Sequence, residues 1–274
     1  MPRLRVMTLN LWGYRGDWPA RRDRLINCMQ QEDLDVILLQ EVSERAWRAN
    51  QAEEISFLTG YHMAFVPAQH FFPWPSVSEG LAILSRFPMS NFLETELFTT
   101  PHLLPTAANE RRIAQRVEIN LGGMSVVLYN THFPLTVDAR RQAAYRLWTQ
   151  VVQEEVVLLV VGGDFNAPPI EESIDFLQGK IPMNGLRGEL ADAWVTAGIG
   201  TAETYPTHAP RSRIDYIFYQ AEPTVIVQET KVLGFPPDEM SDHGAVVATF
   251  SISPTRDTIA PPQEEPVGSL EPTG

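Results

Sequence analysis

Residues 160–169, VVGGDFNAPP, close an apolar run with an acid and an amide, Asp164 and Asn166, and then two prolines. Either the pair merely turns the chain, which Asp and Asn do well, or a buried strand aims two oxygen ligands at a site. Residues of the same kind recur: Asn10 in TLNLW, Glu41 in LLQEV, Glu79 in SEGL, Asn130 and His132 in YNTHF, Asp215 in RIDYI, and Asp242 with His243 in MSDHG. Carboxylates and amides suit a hard cation such as Mg2+, with Mn2+ as a possible substitute. Such an ion takes oxygen ligands, keeps several waters and completes its shell with phosphate oxygens. Zinc would call for His and Cys. Phosphate hydrolysis also needs charge stabilisation and an oriented water, which His and Asn supply.

Something must bring these residues together. Strand-like runs occur at 4–9, 36–39, 81–84, 113–119, 125–129, 156–161, 214–219, 225–232 and 245–252, mostly β-branched and bounded by Gly, Pro, Asn or Asp. Helical spacing is expected over 19–31, 44–58 and 138–154. The polar residues gather at strand C-termini, where sites in layered α/β proteins form, whereas Asp215 reads as lying inside a strand. The pattern favours a mixed sheet or two packed sheets flanked by helices, in one domain.

At 274 residues and 44% hydrophobic content the chain can bury a sizeable core. No stretch nears the roughly 18 to 20 apolar residues of a membrane span, and the N-terminus lacks a signal-type apolar region. A cytoplasmic monomer with no stable membrane anchor is expected. Cys28 is the single cysteine, which excludes an intrachain disulfide. The net charge of −13 argues against a basic nucleic-acid-binding face, although a bound cation reverses the local field of an acidic protein. Residues 1–252 are expected to form one catalytic domain, followed by a disordered, acidic, Pro/Glu-rich tail over 253–274.

Taken in chain order, Asn10, Gln40-Glu41, Ser78-Glu79-Gly80-Leu81, Asn130-Thr131-His132, Gly163-Asp164-Phe165-Asn166, Arg213-Ile214-Asp215-Tyr216 and Ser241-Asp242-His243 resemble the endonuclease/exonuclease/phosphatase superfamily. The resemblance runs from residue 4 to about 252. It implies the deoxyribonuclease I-like fold, an α/β four-layer sandwich of two packed mixed β-sheets flanked by helices. It also implies Mg2+-dependent hydrolysis of a phosphoester, with a phosphodiesterase or nuclease foremost and a lipid phosphodiesterase or phosphomonoesterase as alternatives. A catalytically degenerate binding scaffold is the non-enzyme alternative, which the filled motif positions disfavour.

Carried over by resemblance, Glu41 is the principal metal ligand, with Asn10 and Asp242 at the same ion. Asp164 and Asn166 orient or deprotonate the attacking water, and Asn166, Asn130 and Arg112 contact the substrate phosphate. His243 stabilises the transition state with Asp215 as its partner, and His132 acts as a second histidine supported by Glu79.

Taken singly, these residues have plainer readings. Asn10 and Asn130 are ordinary turn residues, and Glu41 would suit the cap of a helix starting near Ser43. Asp215 amid Ile214 and Ile217 is harder to dismiss, since a strand-interior acid needs a partner. Trp47, Trp148 and Trp194 read as core, and His62, His102 and His208 as incidental. Thr204-Tyr205-Pro206 is expected to pack beside the site. The aromatic loop 67–78, with His70, Phe71, Phe72 and Trp74, either faces substrate or packs under itself. Short clusters of arginine, Arg140-Arg141 among them, suit a small phosphodiester or short single strand better than long duplex, so the expected partner is a phosphoester substrate, nucleic acid or small phosphodiester.

Overall fold

The computed structural model describes residues 2–45, 48–71, 74–100 and 110–252, without the side chains of 70–76. Its elements are β1 (Arg3–Asn10), α1 (Trp18–Gln31), β2 (Val36–Arg45), α2 (Gln51–Thr59), β3 (His62–Phe71), β4 (Trp74–Ser85), β5 (Met89–Thr99), β6 (Arg111–Leu121), β7 (Met124–His132), α3 (Val137–Val151), β8 (Leu158–Asp164), α4 (Glu172–Leu177), β9 (Ala191–Asp192), α5 (Ala193–Ala197), β10 (Asp215–Ala221), β11 (Val225–Leu233) and β12 (Ala245–Ile252). They build two six-stranded mixed sheets, ordered β11-β12-β1-β2-β4-β3 and β5-β6-β7-β8-β10-β9.

Each sheet holds a parallel pair, β1/β2 in one and β7/β8 in the other. Parallel neighbours need a crossover, and α1 and α3 provide it. Between the sheets lie Val6, Leu38 and Ile83 against Val117, Leu128 and Val160, all fully buried. The outer faces pack on helices, with Leu25 and Met29 over one sheet and Leu147 and Trp148 over the other. The expected four-layer sandwich is the observed one.

This topology sends functional residues to one end. β1, β7 and β8 end there with Asn10, His132 and Asp164, and β2 carries Gln40-Glu41 at the same level, with Gln40 paired to Asn10. β10 runs antiparallel to β8, so Asp215, its first residue rather than an interior one, pairs with Asp164. β12 runs antiparallel to β1, which brings the preceding Asp242-His243 to the same edge.

The elements depart from expectation in several places, and α4 and α5 match none of the expected helices. Residues 44–58 are not one helix: Ser43–Arg45 pair with β4, and α2 starts only after Asn50, whose side chain forms a capping box with Glu53. Glu41 therefore caps no helix. β3, β5 and the short β9 have no counterpart among the expected strands. Trp194 is half-buried, while Trp148 is core. The side chains of His70, Phe71, Phe72 and Trp74, together with Trp47, His102 and the 253–274 tail, lie outside the described residues.

Candidate active site

A bulge in β2 prepares the principal acid. Leu39 pairs with Ala82, and the next pair is Val42 with Gly80, so β2 carries one residue more than β4 and Gln40-Glu41 leave the ladder. Glu41 takes φ 49°, in the left-handed region, which few residues with a Cβ adopt. Trp12 (φ 58°) and Asn166 (φ 50°) share that conformation at the same cleft. Strain of this kind persists where surroundings over-determine it.

Asn130 supplies part of that determination. Its Nδ2 donates to the Leu39 carbonyl at 2.9 Å and the Ala82 carbonyl at 3.0 Å, while its Oδ1 accepts from Gln40 Nε2 at 2.7 Å. These are carbonyls beside the bulge, reached from the opposite sheet. Asn130 is fully buried, with both amide hydrogens spent. Its amide is spent on that frame, and Asn130 is not among the residues that line the cleft.

Glycine sets the end of β8. A Cβ on Gly163 would meet the Thr131 carbonyl oxygen at 2.0 Å, and one on Gly162 would meet Leu38 at 2.5 Å. At Gly163, where the obstacle is backbone, only glycine allows this approach between strands, while at Gly162 a side chain would have to displace Leu38. Asp164 and Asn166 then flank a fully buried Phe165, whose ring packs on Phe133, Tyr216 and Phe218. Burying such a ring contributes about 1.5–3 kcal/mol, which anchors the turn.

Around this frame the predicted residues converge. Asn10 Nδ2 donates to Glu41 and to Asp164, each at 3.1 Å. Asp164 Oδ1 accepts from the Asn166 backbone N–H at 2.8 Å, and Asn166 Nδ2 donates to the Phe133 carbonyl at 3.0 Å. His243 Nδ1 meets Asp215 Oδ2 at 2.9 Å, and its Nε2 lies 3.9 Å from Asp164 Oδ2. His132 Nε2 lies 3.5 Å from that same Asp164 oxygen. Glu41, Arg112, His132, Asp164, Asn166, Asp242 and His243 line one open cleft. Glu79 lines an adjoining recess with Glu41, Arg112 and His132, but no hydrogen bond joins it to His132, whose close acid is Asp164.

The electrostatics separate the two histidines. Burial works against charge on His243, yet Asp215, then Asp164 and Asp242, outweigh it and hold the ring up at about 10. Burial, then Arg112 and His243, keep His132 well below its ordinary range. One ring is a cation at neutral pH and the other is neutral. Burial and then Asp215 push Asp164 up to about 7; burial and then Glu41 push Glu79 up to about 7. Asp242 is raised by burial and by Glu41. Glu41 thus sits beside Asp242 and Glu79, whose carboxyls its charge raises, with the Arg15 guanidinium at 3.0 Å as its cationic partner, and such an acidic cluster suits a divalent cation. Asp164, Asp215 and His243 also place ligand-type atoms within 4.8 Å of one another, but Asp215 is fully committed to the imidazole. Glu41 and Asp242 line the same cleft, and Asn10 faces Glu41 with its Nδ2 while its Oδ1 accepts the Trp12 N–H at 2.9 Å.

Several neighbours carried no role in the sequence reading. Arg15 Nη1 pairs with Glu41 Oε2 at 3.0 Å. Ser241 Oγ donates to the Asn10 carbonyl at 2.6 Å. The Gly13 and Gly16 loop after β1 was the available signal, since it carries Arg15 to the cleft. Tyr205, from the Thr204-Tyr205-Pro206 segment that was expected beside the site, does lie against His243, with ring centroids 4.7 Å apart. Most arginines are engaged elsewhere: Arg140 with Glu171, Arg213 with Asp192, Arg116 with Glu154, Arg111 with Glu94. Arg112, held by Glu110 at 3.0 Å, is the one of the Arg111-Arg112 pair whose charge acts on both Glu79 and His132.

Comparison with known proteins agrees with this geometry. A Drosophila melanogaster protein named "Putative neutral sphingomyelinase" is 25% identical over 308 aligned residues, covering 98% of this chain and 64% of that protein. The inositol phosphosphingolipids phospholipase C of Schizosaccharomyces pombe is 26% identical over 215 residues, covering 71% of this chain and 47% of that protein. The chain therefore spans less than two thirds of either relative. An endonuclease/exonuclease/phosphatase from Bacteroides vulgatus superposes with a TM-score of 0.73 at 22% identity, over 92% of this chain and 100% of that one, which shows the shared fold. The model of the Endonuclease/Exonuclease/phosphatase family matches residues 7–243, from β1 through the Asp242-His243 pair, so this chain belongs to that family of hydrolases acting on phosphoester bonds.

Proposed function

We propose that the protein is a divalent-metal-dependent phosphodiesterase, with Mg2+ or Mn2+ held by Glu41 and Asp242, and by Asn10 once its amide turns Oδ1 from the Trp12 N–H toward the ion. The observation that carries this reading is His243, kept as an imidazolium by Asp215 and set 3.9 Å from Asp164, opposite the acidic oxygen edge of Glu41. The cation, when bound, supplies Lewis-acid charge to a phosphate oxygen. Asp164, buried and raised toward neutrality, takes the proton of the attacking water once ionised. Asn166 fixes Asp164 through its backbone N–H, and one hydrogen of its amide is left for substrate. His243 presents positive charge where negative charge builds on phosphorus-bound oxygens. Neutral His132 and cationic Arg112 line the same cleft.

Within this class we favour a phosphosphingolipid headgroup over nucleic acid. Both curated relatives are named for sphingolipid phosphodiesters, and the net charge of −13, with most arginines of the described residues already paired, disfavours a long polyanion. A nuclease acting on short single strands is the second reading. A panel of sphingomyelin and inositol phosphosphingolipid in mixed micelles, single- and double-stranded DNA, RNA and nucleotide esters, each with Mg2+ or Mn2+, separates them. Turnover of the sphingolipids at least tenfold above every nucleic acid is expected; preference for a nucleic acid overturns the lipid reading and leaves the phosphodiesterase one.

A further inference from the structure

Arg21 is buried on the inner face of α1 beside Trp18, Leu25 and Met29, yet among the described residues no carboxylate lies within ion-pair distance of it. Its guanidinium instead serves four backbone carbonyls. Nη1 donates to Leu11 at 2.7 Å and Met240 at 3.0 Å, and Nη2 donates to Gly13 at 2.8 Å and Arg15 at 2.6 Å. The Trp12 and Trp18 rings lie 5.5 and 5.4 Å from its Cζ, within cation–π range.

Burying a cation with no carboxylate in contact is expensive, even with the charges of Asp242 and Asp17 acting on it from further off, and an apolar residue would fill the helix face more cheaply. What the arginine adds is connection. Leu11, Gly13 and Arg15 belong to the loop that follows Asn10. Met240 belongs to the segment that delivers Asp242. Ser241 Oγ ties the same two segments a second time, through the Asn10 carbonyl. Gln51 holds the Gly13 carbonyl from the other side at 2.8 Å and accepts from the Ser43 N–H at 2.9 Å, just beyond Glu41.

We infer that Arg21 is a positioning residue for the metal edge: it fixes the spacing between the Asn10 loop and the Asp242 segment. This rests on the reading of Glu41, Asn10 and Asp242 as metal ligands. A planar fork serving four acceptors cannot be replaced by an ammonium, so Arg21→Lys keeps the charge and loses the geometry. Loss of such supporting contacts weakens metal affinity by roughly 10–100-fold.

The test is direct titration of Mn2+ by electron paramagnetic resonance, with thermal melts of the metal-free proteins. Leu25→Ala, on the same helix face but outside the carbonyl cage, controls for general destabilisation. Arg21→Lys is expected to bind Mn2+ at least tenfold more weakly than wild type, with Leu25→Ala unchanged in affinity despite a lowered Tm. Wild-type affinity in folded Arg21→Lys, or an equal loss in Leu25→Ala, overturns the inference. If Arg21→Lys does not fold, Arg21→Gln, which keeps a donor without the fork, takes its place in the titration, and wild-type Mn2+ affinity there overturns the inference equally. Failure of the wild type itself to bind Mn2+ sinks the metal reading instead, and this inference with it.

Discussion

Asp215 lies 2.9 Å and 3.2 Å from His243 Nδ1 through its two carboxylate oxygens, and both side chains are buried at the mouth of β8 and β10. The acid fixes the ring and keeps it charged. Asp215→Asn retains the shape and removes the charge, so kcat is expected to fall by about 10²–10⁴-fold. The alkaline limb of the pH–rate profile should move down from the region of about 10. A variant with wild-type kcat and an unmoved limb would refute this role.

The same pair sets a pH dependence of stability. A folded-state pKa of about 10 against about 6.5 in the unfolded chain means the native state keeps a proton that the unfolded state releases. The stabilisation is fully present below about pH 6.5 and is lost as pH rises through about 10. In EDTA-treated protein, the Tm advantage of wild type over Asp215→Asn should shrink steadily from pH 7 to pH 10. A gap that widens over that range would show the sign to be wrong.

Asn130 gives a test that separates a substrate contact from a support. If it bound phosphate, Asn130→Ala would mainly raise KM. Because it satisfies the Leu39 and Ala82 carbonyls and Gln40, truncation leaves buried polar groups unpaired, at about 1–3 kcal/mol each. Chemical denaturation should therefore show a loss of roughly 2–4 kcal/mol, with weaker metal binding as Glu41 loses its bulge. Unchanged stability with raised KM would return Asn130 to the substrate.

Metal binding should be visible without turnover. Glu41 repels Asp242 and Glu79, and a cation relieves both. At a hundred times its Kd a ligand adds about 2.7 kcal/mol, so saturating Mn2+ should raise Tm by several degrees. Glu41→Gln should abolish the shift, and a shift that survives in Glu41→Gln places the metal elsewhere.

Arg15 competes for the same carboxylate, 3.0 Å from Glu41 Oε2. Its side chain is half exposed, and pairs of this kind contribute about 0.2–1 kcal/mol. Arg15→Ala should thus tighten Mn2+ binding by about two- to fivefold in calorimetry. Weaker binding would mean that Arg15 supports the metal edge rather than occupying it.

Much of the site was legible because chemistry restricts which residues stand at strand ends. Glu41, Asp164, Asp215, Asp242 and His243 could be found from type and order, and the C-terminal edge of two parallel pairs brings them together. The backbone was less legible. Glu41 owes its direction to a bulge that pairing alone creates, and β5 is a largely exposed edge strand with no apolar alternation to read. Residues 44–58 have helical spacing, but cross-strand pairing carries β2 through Arg45 before Asn50 can start a helix. Asn130 stands in a motif beside His132, and only the opposing sheet shows that its amide is consumed below the cleft. Arg21 reads as one more basic residue on an amphipathic helix until the four carbonyls around it are seen.

The most direct measurement is hydrolysis of a chromogenic phosphodiester, bis-p-nitrophenyl phosphate, by wild type, Glu41→Gln and His243→Ala, each with Mn2+ and with EDTA. Turnover by wild type with Mn2+, and its loss in EDTA and by at least 10²-fold in both variants with folding intact, is the expected result. Turnover that survives EDTA and both substitutions would contradict a metal-dependent phosphodiesterase at this site.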